Sequence, residues 1–566
     1  MKLSILFLIL ISFTTKAQIA FQNNPISLGL NFSTGSSFLG SGVSFYDYND
    51  DGWDDLTFAT GDGQNIKFFK NNLGVFSEET LITGITYRTK QINWVDIDND
   101  GDKDLFVTSD TNGNKLFINN GNSIFQDITN SSGLVSSNTF SYGASWGDYN
   151  NDGYLDVFIS NRSETIPNKL YKNNGDNTFT DVSIASGISA SGTFTFCSIF
   201  FDYNNDGWQD IYLSNDKYNY SNVMYKNNGD GTFTDESESS QTDISIDAMT
   251  TTIGDYNNDG WFDLYVTNTI NGNVFFKNNG NGSFSNVTSL TTTSFNSIGW
   301  GSVFLDIEND GDLDLYVSGS LDGSVPSLSS SALYKNLNTG VFENTNNIGF
   351  NTDNFESYSN AIGDFNNDGL SEICVNNGNN QNISFWQNNT STNNNWLKVN
   401  LEGVVSNKDG VGSVIEISIN GNKQYRYTNC GEGYLSQNSD TELFGIGNAT
   451  VVDYIKIKWL SGIIDVFNNV AANQALNIVE GSTVLSVEDY SIVNKKNFII
   501  ENPVDAELKF NSELNIQRIE IYNLQGQLIN IFENRGVVDV SAFNSGTYLV
   551  KVNYNNKSTF LKFIKK

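Results

Sequence analysis

A nine-residue pattern recurs seven times in this chain and fixes most of what the chain can become. The copies begin at Asp47 (DYNDDGWDD), Asp96 (DIDNDGDKD), Asp148 (DYNNDGYLD), Asp202 (DYNNDGWQD), Asp255 (DYNNDGWFD), Asp306 (DIENDGDLD) and Asp364 (DFNNDGLSE). Successive starts lie 49, 52, 54, 53, 51 and 58 residues apart. A period near 50 means a propeller, solenoid or array, because one such unit buries its apolar face only against its neighbours.

Positions 1, 3, 5 and 9 of each copy carry side-chain oxygens around a glycine at position 6. The candidate ligands are Asp47, Asn49, Asp51 and Asp55; Asp96, Asp98, Asp100 and Asp104; Asp148, Asn150, Asp152 and Asp156; Asp202, Asn204, Asp206 and Asp210. The last three copies add Asp255, Asn257, Asp259 and Asp263; Asp306, Glu308, Asp310 and Asp314; Asp364, Asn366, Asp368 and Glu372. Ca²⁺ takes about 6–8 oxygens at roughly 2.3–2.6 Å in a forgiving geometry, which this spacing can supply. The glycine permits the positive-φ turn that folds a loop round an ion. One such motif alone would read as an Asx-rich turn without metal; seven in register favour about seven calcium ions in a mainly structural role. An EF-hand is excluded. It needs a glutamate at position 12 and flanking helices, and position 12 here is Phe58, Val107, Ile159, Leu213, Val266, Val317 or Val375. Apolar residues at positions 10 and 12 instead send each loop into a strand.

Each repeat has a second half, as in KLYKNNGDNTFTD (169–181), VMYKNNGDGTFTD (223–235) and VFFKNNGNGSFSN (274–286): strand, Asn-Gly turn, strand. One repeat is therefore strand A, loop, strand B, variable loop, strand C, tight turn, strand D, which describes a propeller blade. The seventh repeat stops at NISFWQNNTS without a final strand, while a spare strand of that type, IAFQN (19–23), stands near the N-terminus. Pairing the two closes a ring, and the expected fold is all-β: a seven-bladed β-propeller over residues 18–392. These repeats resemble the FG-GAP/VCBS repeats of integrin α-subunit propellers and many bacterial surface proteins. The resemblance implies a β-propeller with Ca²⁺ held in the A–B loops; Glu372, replacing the last Asp, is the one departure in ligand type at position 9.

The A–B loops and C–D turns of such a blade share a face and vary little. The B–C loops emerge on the other face and vary more, and binding residues concentrate on such loops. Arg162, Lys217, Tyr218 and Tyr220 are the candidate ligand-binding residues there, against the plainer reading of solvated loop. Composition narrows the chemistry. The chain has no histidine, which excludes Ser-His-Asp and Cys-His sites and the usual His-ligated zinc enzymes. Its 64 acids against 31 bases give a net charge of −33, which argues against nucleic acid and anionic membranes. Cys197, Cys374 and Cys430 form no framework and read as buried thiols, with a Cys374–Cys430 bridge left open.

The segment MKLSILFLILISFTTKAQ reads as a secretory signal peptide over residues 1–17, and no other stretch is long enough to span a membrane. From Asn395 the texture changes to glycine-punctuated strands, expected as a small β-module over 395–484. Ser406-Asn407-Lys408-Asp409-Gly410, Gly433-Tyr434-Leu435-Ser436-Gln437, Phe444-Gly445-Ile446-Gly447 and Trp459-Leu460-Ser461-Gly462 resemble the ASPIC/UnbV module that often follows VCBS propellers. The last part, 489–566, turns basic, with NPVDAELKF, IEIYNLQGQLI, VDVSAFNSGTYLVKV and the terminal FLKFIKK. By itself it reads as a small Ig-like β-sandwich; it resembles the C-terminal sorting domain of type IX secretion cargo, which implies the type IX machinery as partner and delivery to the outer-membrane surface or medium. The favoured expectation is a non-enzymatic, calcium-binding, exported propeller that mediates adhesion or binds a glycan or protein. A Ca²⁺-dependent polysaccharide lyase on the same propeller is the alternative, and a purely structural matrix component a third.

Overall fold

Each loop ends on a residue that opens strand B, and the strands that follow hold the chain in a repeated antiparallel pattern. The computed structural model describes residues 18–483 apart from 122–123, 136, 138, 321–327, 346–347 and 351–352, and residues 504–566 apart from 511–515, 524–527 and 555–556. The expected signal segment 1–17 lies outside the described residues, as does much of the B–C loop of the sixth repeat. The chain divides into two compact units, Met1–Val484 and Leu485–Lys566.

In the first unit seven sheets share one plan. The third shows it: A is Ser141–Gly147, B Asp156–Asn161, C Lys169–Asn173 and D Phe179–Asp181, with Val157 opposite Tyr171 and Tyr171 opposite Asp181. Burial falls from A to D. Strands A and B of this sheet are buried along their whole length, C buries all but Lys169 and Lys172, and D buries only Phe179. The seventh sheet is built from Ser357–Gly363, Glu372–Asn377 and Ser384–Asn388, and its fourth strand is Phe21–Asn23 from the other end of the repeats. Phe21 pairs with Asn388 and Asn23 with Trp386, as the spare strand IAFQN leads one to expect.

Every pair of neighbouring sheets shares an apolar core. Trp94 and Phe68 join sheets two and one; Trp146 and Phe106 join three and two. The series continues through sheets three to seven. Val43, Phe45 and Phe58 of the first sheet then pack with Ala361, Cys374 and Phe385 of the seventh, so the cores run round without an end. Cys197, Cys374 and Cys430 are all free and buried, which excludes the Cys374–Cys430 bridge left open by the sequence.

The following segment is all-β, as expected, but belongs to the same compact unit as the repeats. Asn395–Glu402 pairs with Glu442–Gly447 and Gln474–Val479; a second sheet runs Asn422–Tyr427, Val414–Ile419, Val451–Lys458, Ile464–Ala471. Leu397, Ile415, Phe444, Ile457 and Trp459 fill the space between them. From this module the segment 428–440 enters the axis of the repeat array. Ser436–Gln437 adds to the innermost strand of sheet one, parallel to Val43–Ser44. The Gln437 amide donates to the Trp94 carbonyl at 2.7 Å and accepts the Trp94 N–H at 2.8 Å. Tyr434 is fully buried, stands 4.9 Å from the Trp300 ring and 5.5 Å from that of Phe196, and donates its hydroxyl to the Leu39 carbonyl at 2.7 Å.

The second unit pairs Glu507–Lys509 with Val537–Asp539 beside a four-stranded sheet ordered Leu528–Glu533, Ile516–Tyr522, Gly546–Tyr554, Lys557–Lys565. Leu508, Ile519, Val538, Val550 and Phe563 form its core.

The terminal strand of sheet seven supplies the first prediction. Phe21 is buried and packs 5.3 Å from Phe350. Phe21→Ala should cost about 3–5 kcal/mol of stability, the range for an emptied aromatic site. Urea unfolding of the first unit checks it; an unchanged midpoint would mean the ring does not depend on this strand.

Candidate calcium loops and the face opposite

The loops are built from the backbone outward. In every copy the carboxylate at position 1 accepts the N–H groups of positions 5 and 6: Asp148 takes Asp152 at 3.0 Å and Gly153 at 2.8 Å, Asp255 takes Asp259 at 3.0 Å and Gly260 at 2.7 Å, and Asp364 takes Asp368 at 3.1 Å and Gly369 at 2.7 Å. The carboxylate at position 9 closes the other side by accepting the N–H of the asparagine that ends strand C, at 2.7 Å from Asn173 to Asp156 and 2.7 Å from Asn227 to Asp210. Glu372 makes the same contact more loosely, at 3.4 Å from Asn388. The seven loops hold 27 acids, and these N–H groups, with nearby lysines, meet part of their charge.

Four lysines that precede the strand-C asparagine reach into the loops. Lys70 lies 3.0 Å from Asp51, Lys172 3.1 Å from Asp152, and Lys277 3.0 Å from Asp259; Lys335 contacts Glu308 and lies 3.8 Å from Asp310. The second loop differs, with Ile118 at that place and an extra carboxylate at Asp98. There Asp96, Asp98 and Asp104 bring oxygens within 4.8 Å of one another, and the buried Asp98 Oδ1 has no hydrogen-bond partner. An all-oxygen set, close together, whose nearest ammonium, that of Lys103, is paired with Asp409, fits a hard divalent ion. Burial, the largest cause, with neighbouring carboxylates adding to it, pushes Asp55 and Asp104 up to about 8. Asp148 and Asp255 rise to about 7, by burial and by the position-5 carboxylate. Asp156, Asp210, Asp263, Asp314 and Glu372 rise well above the ordinary range for the same reasons.

Two further roles lie outside the ligand pattern. Asparagine at position 4, with φ between 54° and 61°, donates its side-chain amide to the position-6 carbonyl of the next loop: Asn99 to Gly153 at 2.8 Å, Asn309 to Gly369 at 2.8 Å, and Asn367 across the seam to Gly52 at 3.0 Å. Its signal was the second Asn of DYNNDG. The first loop has Asp50 there, a side chain with no proton to give when ionised. The strand-C asparagine also reaches the preceding sheet, as from Asn173 to the Ile97 carbonyl at 2.8 Å and from Asn71 to Phe365 at 2.8 Å.

The module covers the loop side. Lys408 donates its backbone N–H to Asn99 Oδ1 at 2.8 Å, and Lys398 pairs with Asp364 at 2.5 Å. Trp396 stands so close over Gly369 (φ +84°) that a Cβ there would lie 2.2 Å from the indole. On the opposite side, Arg162 is largely committed: it donates to Asp216 at 3.0 and 2.5 Å and stacks over Phe196 at 4.8 Å. Lys217 (φ +88°) pairs with the same Asp216 at 3.0 Å and is half-exposed. Tyr218 is exposed and accepts from Asn271 at 2.5 Å, and Tyr220 donates to Glu164 at 3.4 Å. The structure thus brings Lys217, Tyr218 and Tyr220 onto one rim with Glu164 and Asn271, and places Arg162 beneath it.

The raised carboxyls carry a sign. They bind protons in the folded chain at pH values where the unfolded chain, with carboxyls near pKa 4, has lost them. Without metal, stability is therefore present at low pH and is lost as pH rises through about 6–8. In chelating buffer the melting temperature should fall between about pH 5 and about pH 8.5, and saturating calcium should remove most of the fall. A flat profile in chelator would mean that the loop carboxylates are already compensated.

The FG-GAP-like repeat matches residues 47–107, 96–159, 148–213, 202–266 and 255–317; the seventh loop lies beyond these windows. "ASPIC and UnbV" matches residues 403–484, and the "Secretion system C-terminal sorting domain" matches 499–566. No curated protein matches the chain. Among solved structures, the extracellular domain of a protein named as a hybrid two-component system of B. thetaiotaomicron aligns at 13% identity and TM-score 0.40, over 97% of this chain; the chain spans 60% of that one. The BP39L lectin of Burkholderia pseudomallei aligns at 11% identity and TM-score 0.42, over 62% of this chain and 99% of its own. Among the described residues no helix is long and apolar enough to cross a membrane. The type IX sorting domain marks the chain for export, to the cell surface or beyond. The chain carries FG-GAP-like repeats, an ASPIC and UnbV module and a secretion system C-terminal sorting domain.

Proposed function

We propose that the exported chain is a calcium-stabilised, seven-bladed β-propeller, non-enzymatic, that binds a glycan or protein through the face opposite its loops. The observation that carries this reading is the module's position. With the loop side covered and the axis filled by Tyr434 and Gln437, the B–C rim is the broad face left to a macromolecular partner. That rim presents Tyr218 at 51% exposure beside Lys217 and Tyr220, aromatic and cationic groups suited to stacking and hydrogen bonding. Lys217 holds a positive φ without being glycine, the kind of backbone strain that clusters at binding sites. Calcium in the loops below holds the rim rather than reacting, and this reading takes one ion per loop.

The binding reading is tested on glycan and surface-protein arrays with the exported chain. A saturable partner should be found, and Tyr218→Ala with Tyr220→Ala should weaken it at least tenfold, about 1.4 kcal/mol, without lowering the melting temperature. Turnover of a polyuronate, or binding indifferent to both tyrosines, would overturn it. The ion count is tested separately. Calorimetry should give about seven calcium ions, each adding about 2.7 kcal/mol at a hundredfold excess over its dissociation constant. Ile118→Lys should remove the tightest of them, because it brings to the second loop the ammonium that four other loops hold. An unchanged count and affinity would show that these lysines do not compete with the ion.

A further inference from the structure

The loop-side face of the repeats and the module do not meet flush. Between them lies a cavity of about 460 Å³, within the 300–1,000 Å³ range usual for small-molecule sites. One wall is apolar and comes from innermost strands of the repeats, with Ile199, Ile253, Val303 and Leu305. The other is acidic and comes mainly from one short stretch of the module, with Glu432, Asp440 and Glu442 facing Asp54 of the first loop. None of these four carboxylates stands at a calcium-ligand position. Against them stand two cations, Lys398 and Arg426, and Lys398 is already taken by Asp364 at 2.5 Å. Four carboxyl groups of the lining thus stand against Arg426 and an ammonium that already has a partner.

Two of its side chains are nine-tenths buried and incompletely paired. Arg426 is 8% exposed; its Nη1 donates to the Tyr425 carbonyl at 3.0 Å and its Nη2 has no partner. Glu432 is 9% exposed; its Oε1 accepts from the Asn438 N–H at 2.8 Å and its Oε2 has no partner. Burial pushes the Glu432 carboxyl up to about 7, as expected of a carboxylate that no cation meets. A buried donor and a buried acceptor left open are each costly unless something fills them. A single metal ion does not answer both. It offers Arg426 no acceptor, and among the described residues only Asp96, Asp98 and Asp104 bring three ligating atoms within 4.8 Å of one another.

We propose that this chamber is a binding site for a small molecule that carries an ammonium group together with hydroxyl oxygens, the chemistry of an amino sugar. The ammonium meets Glu432 and the neighbouring Asp440 and Glu442, a ring oxygen or hydroxyl accepts from Arg426 Nη2, and the C–H face of the ring lies on the apolar wall. The site is separate from the B–C rim and lies on the other side of the Tyr434 plug.

The test is isothermal titration of the exported chain in calcium-containing buffer with three probes: glucosamine, glucose and putrescine. Glucosamine should bind saturably and at least tenfold more tightly than glucose, which lacks the ammonium, and than putrescine, which lacks the oxygens. Glu432→Gln should weaken glucosamine at least tenfold. Because that residue is buried, Glu442→Gln, at the more open edge, serves as the second variant, and the melting temperature of each is measured alongside. No saturation by glucosamine, equal binding of glucose or of putrescine, or an affinity unchanged in both folded variants would overturn the assignment. Loss of the rim tyrosines should leave glucosamine binding intact, so failure of the rim reading and failure of this one give different results.

Discussion

The whole array hangs on the side-chain amide of asparagine. A stack of antiparallel sheets gives each sheet good packing with its neighbours but nothing that fixes the angle between them, since apolar contact is not directional. The asparagine ending strand C supplies the direction. Its N–H closes its own loop onto position 9, while its amide reaches the carbonyl of the preceding sheet, as from Asn173 to Ile97 and from Asn71 to Phe365. The position-4 asparagine repeats the device one layer out, loop to loop. Both sets cross the seam between the last sheet and the first, so the ring is latched there by the same chemistry as elsewhere.

The sheet plan was legible because its determinants are local. Period, the glycine at position 6, the apolar residues at 10 and 12, and the Asn-Gly turn all lie within one repeat. Even the long-range pairing of Phe21–Asn23 could be inferred, because the count of final strands came out one short in the seventh repeat. The two asparagine latches recur as letters in every repeat that carries them, but a metal-ligand pattern at positions 1, 3, 5 and 9 does not say what a side-chain N–H at position 4 reaches, because its acceptor lies in the next repeat. The role of 428–440 was not legible. Parallel pairing of Ser436–Gln437 with Val43–Ser44 joins segments nearly 400 residues apart, and no periodicity records such a contact. GEGYLSQ reads locally as a glycine-punctuated turn, and only the surrounding aromatic ring of Trp300, Phe196, Tyr142 and Tyr358 shows why a tyrosine belongs there. Arg162 illustrates the converse: its type suggested a ligand, but its partner Asp216 comes from another repeat.

The loops are alike in sequence and unequal in charge. Where a lysine stands before the strand-C asparagine, its ammonium does part of a cation's work for the neighbouring carboxylates. Such a pair, a third exposed, contributes little by itself, on the order of 0–1 kcal/mol, but it lowers what an arriving ion can gain. Ile118 removes that competitor from the second loop, and Asp98 adds a charge. The same nine-residue pattern can thus span a range of affinities, with the deciding residue about 20 positions downstream, where a reading confined to the loop does not look.

The module changes what the repeats are for. A bare ring of this kind offers two faces and an open axis. Here one face carries the module, and the axis is occupied from Cys430 to Gln437 by backbone that is itself hydrogen-bonded to the inner strands, as in the Trp146 N–H to Cys430 carbonyl contact at 2.9 Å. Burying that much polar backbone is tolerable only because the inner strands present partners for it. Gln91, Gln437 and the Ser44 hydroxyl serve this end, and each is nearly or fully buried. Arg426, beside the plug, and Glu432, within it, are among the buried side chains that keep an open donor or acceptor. What sets these two apart is that they line the same chamber, a buried donor and a buried acceptor that one bound molecule would complete together.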